Sequence, residues 1–277
     1  MPELLSVNYA VVAEFGSWDK ALTGLASRLG TLGVRRGQLV GVYAHKANAS
    51  AYSEDVLTAF YSLALPGRGA LSLRMAAEQS NTLSWAQLHQ RAAHTVASLA
   101  DRSELVAVNA VGGGVSAAVL VITDTDLPAD LTVPVRKVRV LHASGGSFAE
   151  ATLQLEASLV SLGVRRGQVL SVDAHLEAAG AVVHQEAAVV SALYSPDLPG
   201  CGEVRLRLSS LSAARGKGWA QLDALTADGF AALELGTIAD LLGMSAAHAP
   251  EGKAEIPVWY YAPADPACAP APPAGGQ

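Results

Sequence analysis

The heptapeptide LGVRRGQ occurs twice in the sequence, at residues 32–38 and again 130 positions later at residues 162–168. Three further matches keep the same order: GSW at 16–18 with GSF at 146–148, LPG at 65–67 with LPG at 198–200, and WAQL at 85–88 with WAQL at 219–222. The separation grows only to 134 residues, so the few insertions are expected in loops. This period is far longer than the roughly 20–50 residues of solenoid repeats, so the pattern predicts two whole domains in tandem.

The repeat also predicts where these domains begin and end. We expect a first domain at residues 1–127 and a second at residues 128–263, with the boundary in the Asp- and Pro-containing stretch 123–134. Residues 264–277 are a Pro/Ala-rich segment of low complexity, which we expect to be disordered. A chain of 277 residues is long enough for two domains of ordinary size.

The charge and the hydropathy of the chain exclude several classes of partner. The net charge is −6 and the pI is near 5.6, which argues against a broad basic surface for nucleic acid or anionic membranes. No apolar stretch reaches the roughly 18–20 residues that span a bilayer, and Glu3 near the N-terminus does not fit a secretory signal. We therefore expect no membrane partner, no nucleic-acid partner and a cytoplasmic location. Cys201 and Cys268 are expected to be two reduced thiols.

Both copies carry the same helix signals. Ser17 and Ser147 occupy N-cap positions, and leucines follow each of them at helical spacing. Gly33 and Gly163 stand where the helices should end. The basic pairs that come next, Arg-Arg in both copies, are interpreted as solvated turns near a helix C-terminus, where cations are favoured.

Each helix is followed by a predicted strand with two different faces. The residues assigned to its apolar, core-facing side are Val40, Val42, Ala44, Leu170, Val172 and Ala174. The other face carries Gly41, Tyr43 and His45 in the first copy and Ser171, Asp173 and His175 in the second. Because this second face is polar in both copies, we expect it to be open to water or to a ligand.

Two stretches, 47–61 and 178–193, could be strands or helices. We favour strands, because Thr, Val, Phe and Tyr are dense at 56–63 and 189–194 and a Pro-Gly turn follows. Helices there would instead give βαβαβ repeats, which resemble the reactive-intermediate deaminase or chorismate-mutase-like trimeric fold.

With strands in those stretches, each copy reads as βαββ followed by βαββ. The predicted fold class is therefore α+β: two tandem copies of a domain built from paired βαββ modules, with helices packed on one face of antiparallel sheets. The second half of the second copy lacks one clear strand, since residues 237–248 look helical or loop-like.

The sequence resembles a known family at three places. Residues 9–45 and 135–176 each show a strand, a Gly with a polar or aromatic neighbour, an amphipathic helix, a small turn and a strand with a polar outer face. In residues 255–258 an acidic residue shortly precedes a Pro, as in the family's closing strand. These features resemble the effector-binding domains of the gyrase-inhibitory-protein-like type, which also occur at the C-termini of AraC- and MerR-type regulators. The resemblance covers nearly the whole chain, and it implies a pseudo-two-fold pair of βαββ modules with a cleft between them in each domain.

The resemblance also implies a binding site. Family members hold cationic amphipathic compounds between aromatic walls, often with a buried Glu, and some stand-alone members are hydrolases. A carboxylate faced by aromatic rings suits a cation. Glu255, Trp259 and Tyr261 alternate onto one face of the last strand, as such a site requires. The matching strand of the first copy, 115–123, has no Glu and no ring, so the second copy is the better candidate.

Three more residues complete the candidate ligand-binding set. Trp219 starts a helix in the second copy, as its counterpart does in the first, and it could stack on a ligand in the cleft. Tyr43 lies on the polar strand face, and Arg207 lies on another polar strand face, where it could bind an anion or a carboxylate. We predict no catalytic residue and no cofactor from these patterns.

A metal site is not predicted either. His45, His175 and Asp173 could begin one, but spacing places no third or fourth ligand beside either histidine. His142 and His184 would join them only if the fold brought them close.

The sequence leaves three functions open. The first is binding of a small molecule, partly apolar and in the family's manner cationic, by a protein without its own DNA-binding domain. The second is a hydrolase of the same fold, with Glu255 as general base and Tyr261 or Tyr43 as acid. The third is a structural pseudo-dimer whose strand edges recruit a protein partner or a second copy of the chain.

Overall fold

The structure is a computed structural model of the chain. It describes residues 6–47, 54–99, 104–113, 116–124, 137–178, 186–212, 218–233, 235, 240–248 and 254–263. The structural statements that follow concern these residues.

The secondary structure alternates between strands and helices throughout. The first half contains β1 (Asn8–Phe15), α1 (Trp18–Thr31), β2 (Arg35–Arg36), β3 (Leu39–Lys46), β4 (Glu54–Tyr61), β5 (Arg68–Ala70), β6 (Leu73–Ser80), α2 (Trp85–Ala97), β7 (Leu105–Gly113) and β8 (Ser116–Asp124). The second half contains β9 (Arg139–Gly145), α3 (Phe148–Ser161), β10 (Val169–Ala178), β11 (Glu186–Tyr194), β12 (Leu206–Ser212), α4 (Trp219–Gly229), a single 3-10 turn at Phe230–Ala232, β13 (Leu241–Met244), β14 (Ala247–His248) and β15 (Ala254–Tyr261).

Four consecutive segments follow the order strand, helix, strand, strand, and we call them modules 1 to 4. Module 1 contains β1, α1, β3 and β4; module 2 contains β6, α2, β7 and β8; module 3 contains β9, α3, β10 and β11; module 4 contains β12, α4, β13 and β15. In each module the last strand lies in the middle of an antiparallel sheet, with the orders β1-β4-β3, β6-β8-β7, β9-β11-β10 and β12-β15-β13. β14 also pairs with β15, and β2 pairs with β5. The chain is therefore a mixed α+β protein with small antiparallel sheets, as the sequence predicted.

Each helix lies between two sheets. Helix α1 contacts the sheets of modules 1 and 2, α2 those of modules 2 and 3, α3 those of modules 3 and 4, and α4 those of modules 4 and 1. The four modules therefore close into a ring. The structure differs here from the prediction that helices cover one face only, because the neighbouring module's helix covers the second face of each sheet.

Helix α1 illustrates this arrangement. Leu25 and Leu29 are fully buried, and their core includes Leu57 of β4 and Ile122 of β8, on sheets of two different modules. Burying such a side chain contributes about 1.5–3 kcal/mol to stability. The helix thus connects two modules through a single apolar stripe. A short leucine repeat is sufficient to fix the position of the helix, because both sheets pack against that stripe.

One strand from each module faces the centre of the ring. These inner strands are β3, β7, β10 and β13, and each contacts the next in ring order. Glycines allow the closest approaches: a Cβ atom on Gly243 would lie 2.0 Å from the carbonyl oxygen of Val172, and one on Gly41 would lie 2.6 Å from Met244 Cε. Any larger residue at Gly243 would push the backbones of β13 and β10 apart.

All four inner strands begin with a shift in pairing register, and β3 and β10 show its effect on the predicted faces. The pairing register shifts between Leu39 and Gly41 in β3 and between Val169 and Ser171 in β10. An extra residue in one strand reverses the alternation of side chains. Leu170 consequently lies on the face opposite Val172, in the core under α2, which corrects its predicted position. Val40 is displaced in the same way, into the core under α4.

The two ambiguous stretches are strands wherever the structure describes them. β4 and β11 each pair on both sides and are buried over most of their length, which confirms the favoured interpretation. The interpretation of residues 237–248 was wrong, because β13 and β14 lie there. The four-residue sequence of β13, Leu-Leu-Gly-Met, is too short to show a strand period on its own.

The helix boundaries agree with the predicted caps. The Ser17 hydroxyl accepts a hydrogen bond from Lys20 N, and the Ser147 hydroxyl accepts one from Glu150 N. Gly33 and Gly163 follow the helices with φ of 73° and 71°, a backbone conformation that favours glycine.

Three predictions concern residues at the edges of the described structure. Cys201 is disulfide-bonded, which contradicts the expectation of two reduced thiols, while Cys268 lies outside the described residues. Of the predicted boundary at 123–134, residues 123 and 124 belong to β8, and the rest lies outside the described residues, as does the tail at 264–277. Within the described residues, no helix has the length and apolar character that crossing a membrane requires.

Candidate functional site

A cavity of about 500 Å³ lies where the four inner strands meet. Its wall consists of residues 39–42 of β3, 105–107 of β7, 170–171 of β10 and 241–244 of β13, together with Leu71 and Gly37 and the charged pair Arg36 and Asp124. Apart from that pair and Ser171, every side chain in the wall is apolar or absent. All four modules therefore contribute to one mostly aliphatic cavity.

The two charged residues of the cavity neutralise each other. Arg36 Nε lies 2.9 Å from Asp124 Oδ2, and Arg36 Nη2 lies 2.8 Å from Asp124 Oδ1, which is a bidentate ion pair. Ser72 N also donates to Asp124 Oδ1, at 3.2 Å. In the second half Arg166 pairs with Asp240 and donates to the carbonyl oxygen of Ala262. The interpretation of both basic pairs as solvated turns is therefore wrong for Arg36 and Arg166.

Ser171 is the other polar residue of the cavity wall. It is 2% exposed, and its hydroxyl has no hydrogen-bond partner in the described part of the protein. The position 130 residues earlier, which the sequence repeat matches to it, is Gly41. The hydroxyl oxygen of Ser171 is itself enclosed, so this residue adds little polar surface to the cavity.

A buried cluster of four titratable residues lies beside the inner strands, where α2 covers the sheet of module 3. We call His89, His142, Asp173 and His175 the histidine cluster. His89 Nε2 lies 3.1 Å from both carboxylate oxygens of Asp173, and His89 Nδ1 lies 2.9 Å from the carbonyl oxygen of Trp85. Because both ring nitrogens face acceptors, this geometry favours the imidazolium form of His89, in which both nitrogens donate.

The other two histidines are arranged around that pair. His142 Nδ1 lies 2.9 Å from Ser191 Oγ, and the ring of His142 meets that of His89 edge-on with centroids 5.1 Å apart. His175 stacks against Trp85 with centroids 4.1 Å apart. Within the described residues neither ring nitrogen of His175 has a hydrogen-bond partner.

The pKa values of the three histidines move in different directions. Burial disfavours the charged form of His89, but the charge and hydrogen bond of Asp173 outweigh it and raise the pKa of His89 above its ordinary value of 6.5. Burial lowers the pKa of His142 to about 4, and the charge on His89 adds to this effect. Burial and the two neighbouring histidines lower the pKa of His175 well below its ordinary value. The surroundings thus favour the protonated form of His89 and disfavour that of His142 and His175.

The matching position in the other half holds a different cluster, where α4 covers the sheet of module 1. We call Tyr43, His45, Trp219 and Asp223 the tyrosine cluster. The Tyr43 hydroxyl donates to the Asp223 carboxylate, and His45 lies against Trp219 with ring centroids 4.1 Å apart. The sequence repeat matches Tyr43 to Asp173 and Asp223 to His89. Both clusters therefore contain a contact between a Trp ring and a His ring. The polar contact differs, because the His89–Asp173 pair of the histidine cluster is replaced by the Asp223–Tyr43 pair in the tyrosine cluster.

Burial also governs titration in the tyrosine cluster. It raises the pKa of Asp223 to about 6, although the hydrogen bond from Tyr43 opposes the increase. Burial, with the adjacent carboxylate as a second cause, raises the pKa of Tyr43 well above 10. The pair therefore shares a single negative charge above pH 6 and is neutral in acid.

These clusters correct the prediction of an open polar strand face. Tyr43, His45, Asp173 and His175 are each at most 5% exposed. Helices α2 and α4 cover them, and each of these helices comes from the opposite half of the chain. The polar faces are thus internal contacts between the halves.

The structure distributes the predicted site residues over several places. Tyr43 and Trp219 come together in the tyrosine cluster, with ring centroids 6.4 Å apart. Trp259 is fully buried under α3 and donates to Thr152 Oγ1 at 2.9 Å. Tyr261 is 2% exposed, and its hydroxyl accepts a hydrogen bond from Gly167 N at 3.0 Å.

The two charged members of the predicted set lie elsewhere. Glu255 is half-buried and accepts a hydrogen bond from the Ser210 hydroxyl, and Arg207 is exposed. None of the six predicted residues belongs to the cavity wall.

Sequence reasoning missed His89 and Asp223. A signal for both was present, because each directly follows an occurrence of the WAQL motif, and the change from His to Asp at matched positions marks a difference between the two repeats. The polar strand face predicted from the sequence includes Ser171 but does not single it out as a site residue. In the part of the chain that the structure describes, no group of three or more His, Cys, Asp or Glu residues could hold a metal ion.

Comparison with known proteins adds no assignment: no protein-family model matches the chain, and no curated protein matches its sequence.

Proposed function

We propose that the protein binds a small, largely apolar molecule in its central cavity. The supporting observation is the cavity itself, with a volume of about 500 Å³ and walls from all four inner strands. Ligand sites typically measure roughly 300–1,000 Å³ and combine apolar walls with a few placed polar groups. The described wall fits both criteria.

The charges of the cavity argue for an uncharged ligand. Asp124 already accepts hydrogen bonds from Arg36 and Ser72, so it offers no unpaired carboxylate to a cation. The guanidinium of Arg36 is likewise already bonded to Asp124 through two nitrogens. A charged ligand would lose its hydration without gaining a partner, which is costly in an apolar site. The wall residues are aliphatic, so recognition of a cation by aromatic rings is not expected at this place.

We further propose that the chain is a tandem duplication related to the effector-binding domains that it resembles. Matched hydrogen bonds support this: Arg35 N donates to Gln38 Oε1 at 2.9 Å, and Arg165 N donates to Gln168 Oε1 at 2.8 Å. The order of elements in modules 1 and 2 is repeated in modules 3 and 4. In this proposal the ligand site lies between the two copies, since both line the cavity.

The hydrolase hypothesis receives less support from the geometry. Glu255 and Tyr261 are six residues apart on β15, which separates them by about 20 Å. An acid and a base must both reach the reacting atoms, within roughly 3 Å each. Tyr43 is enclosed under α4 and bonded to Asp223.

Binding can be tested with Nile red, an uncharged dye whose fluorescence rises in apolar surroundings. We expect saturable binding to the wild-type protein. Val106→Trp should abolish it, because the larger side chain fills the cavity that Val106 lines. Val160→Trp is the matched control, since Val160 is an exposed residue on α3. Absence of saturable binding, or equal binding to both variants, would contradict the proposed function.

A further inference from the structure

We propose that Cys201 and Cys268 form a reversible disulfide within one chain, and that this bond controls the ligand cavity by closing module 4. The inference rests on the proposed function, and it adds a redox regulation of the same site.

The pairing follows from the number of cysteines and from the place where the described chain ends. Cys201 is disulfide-bonded, and Cys268 is the only other cysteine of the sequence. Cys201 N donates to the carbonyl oxygen of Arg166 at 3.0 Å, and the guanidinium of the same Arg166 donates to the carbonyl oxygen of Ala262. The six residues that follow Ala262 end at Cys268 and can span up to about 20 Å, so Cys268 can reach Cys201 without any movement of β15.

The bond joins the two ends of module 4. Cys201 comes shortly before β12 and Cys268 shortly after β15, so residues 201–268 become a closed covalent loop that contains β12, α4, β13 and β15. Helix α4 also covers the sheet of module 1 and thereby closes the ring of modules. Closing a long loop restricts the unfolded chain and so stabilises the folded state.

Arg166 connects this bond to the cavity wall. Besides its contacts with Cys201 and Ala262, Arg166 forms an ion pair with Asp240, which directly precedes β13. Residues 241–244 of β13 are one of the four strand segments that line the cavity. When the disulfide is reduced, only non-covalent contacts hold the end of module 4 against Arg166, so the start of β13 is placed less firmly.

The first half of the chain has no equivalent bond. The position matched to Cys201 in the repeat is Arg68, which also directly follows an LPG sequence, and residues 1–200 contain no cysteine. In that half the ion pair of Arg36 with Asp124 lies in the cavity wall itself. Redox control therefore concerns the part of the wall that module 4 supplies.

The reaction is a thiol–disulfide exchange with a small disulfide such as oxidised glutathione. One cysteine thiolate attacks a glutathione sulfur, which forms a mixed disulfide and releases one glutathione, and the second cysteine thiolate then displaces the other. The two thiol protons and the two electrons end on the two glutathione molecules, and a dithiol reverses the reaction. Cys201 is exposed, so oxidant and reductant can reach it.

Peptide mapping tests the pairing, on full-length protein treated with oxidised glutathione. We expect a cross-linked peptide that contains Cys201 and Cys268, from monomeric protein. Dithiothreitol should lower the melting temperature of this protein by roughly 10 °C, because the loop that the bond closes is long. A disulfide-linked dimer, or two free thiols after oxidation, would refute the inference.

Nile red tests the control of the cavity. Reduction of the wild type should weaken dye binding about threefold to tenfold, which corresponds to a binding-competent population of roughly 10–30% in the reduced protein. Cys201→Ser and Cys268→Ser should each bind the dye as the reduced wild type does, with or without dithiothreitol. Arg68→Ser is the matched control: Arg68 is the exposed residue at the equivalent position, and this variant should keep the full response to dithiothreitol.

The outcomes separate this inference from the proposed function. If the cross-link forms but Nile red binds equally well in both redox states, the regulatory role is refuted and the cavity proposal stands. The same holds if the two serine variants still respond to dithiothreitol. If the dye binds in neither redox state, both proposals are refuted.

Discussion

His89 Nε2 lies 3.1 Å from each carboxylate oxygen of Asp173, so a buried ion pair connects helix α2 of the first half to strand β10 of the second. Both side chains are at most 1% exposed. The contact joins residues that are 84 positions apart, and it lies beside the cavity that both halves line. The pair therefore ties the two halves of the chain together where α2 covers β10.

Removing one partner of this pair should destabilise the protein strongly. Asp173→Leu removes the counter-charge of His89, so this buried ring must release its proton and leave Nε2 without a hydrogen bond, and we expect a loss of about 1–3 kcal/mol in the free energy of unfolding. The double variant His89→Leu/Asp173→Leu should recover much of that loss, because no unpaired polar group is left. Urea unfolding of the wild type, both single variants and the double variant measures the coupling. Additive effects would show that the pair does not act as a unit.

Acid should weaken the folded state through His142. Its pKa is lowered to about 4 from an ordinary value of 6.5, so between these values the unfolded chain binds a proton that the folded protein does not. Stability contributed by the neutral ring is therefore present above about pH 6.5 and is lost as the pH falls toward 4. His175, whose pKa is also lowered, acts in the same direction.

The variant His142→Gln isolates this contribution. The free energy of unfolding is measured in urea between pH 4 and pH 7. Its slope against pH should be smaller than in the wild type by the amount that one bound proton contributes. His94→Gln is the control, because His94 is exposed on α2. If the two variants show the same pH dependence as the wild type, His142 does not titrate as its surroundings imply.

Tyr43→Phe should raise the pKa of Asp223 above about 6. The Tyr43 hydroxyl stabilises the carboxylate, and without it burial of the charge is less compensated. A raised carboxyl pKa means that stability is lost as the pH rises through the folded value, so the variant should lose more stability at pH 8 than at pH 5. We expect a loss of about 1–3 kcal/mol at pH 8. Unfolding at both pH values measures it, and adding Asp223→Asn should remove the difference between them.

Gly243→Ala should open the ring at its tightest point. The added Cβ atom would lie 2.0 Å from the carbonyl oxygen of Val172, so β13 and β10 must separate. We expect a destabilisation of about 3 kcal/mol or more and weaker Nile red binding. Gly30→Ala is the control: Gly30 is in α1 with no atom within 4 Å of the added Cβ, and it should stabilise the helix by up to about 1 kcal/mol. Equal melting temperatures for the two variants would refute the close crossing.

The secondary structure of the first half was predictable, and parts of the second were not. Helix starts at Ser17 and Ser147 depend on hydrogen bonds that span three residues, so sequence alone locates them. Strand β13 was missed because its four residues carry no period, and its place is set by contact with β10. Val40 and Leu170 were assigned to the wrong face because a shift in pairing register is invisible in one strand.

The tertiary structure gives the predicted site residues surroundings that the sequence does not show. The sequence predicts a ligand-binding wall from the aromatic pair on β15, and in the structure Trp259 and Tyr261 pack in the core under α3. Tyr43 and Trp219, which the sequence places on separate elements, are neighbours. The cavity forms only where four strands from four modules meet, so no residue pattern within one module predicts it.

By itself, the sequence determined the α+β class, the repeated order of elements and the local caps, because these depend on the periodicity of side chains and on contacts within a few residues. Only the tertiary structure decided which faces are buried and which polar groups meet. His89 reaches Asp173 across 84 residues, and Tyr43 reaches Asp223 across 180. The physical reason is that α2 and α4 each cover a sheet of the opposite half, so the environment of every polar side chain there is set by a segment far away in the chain.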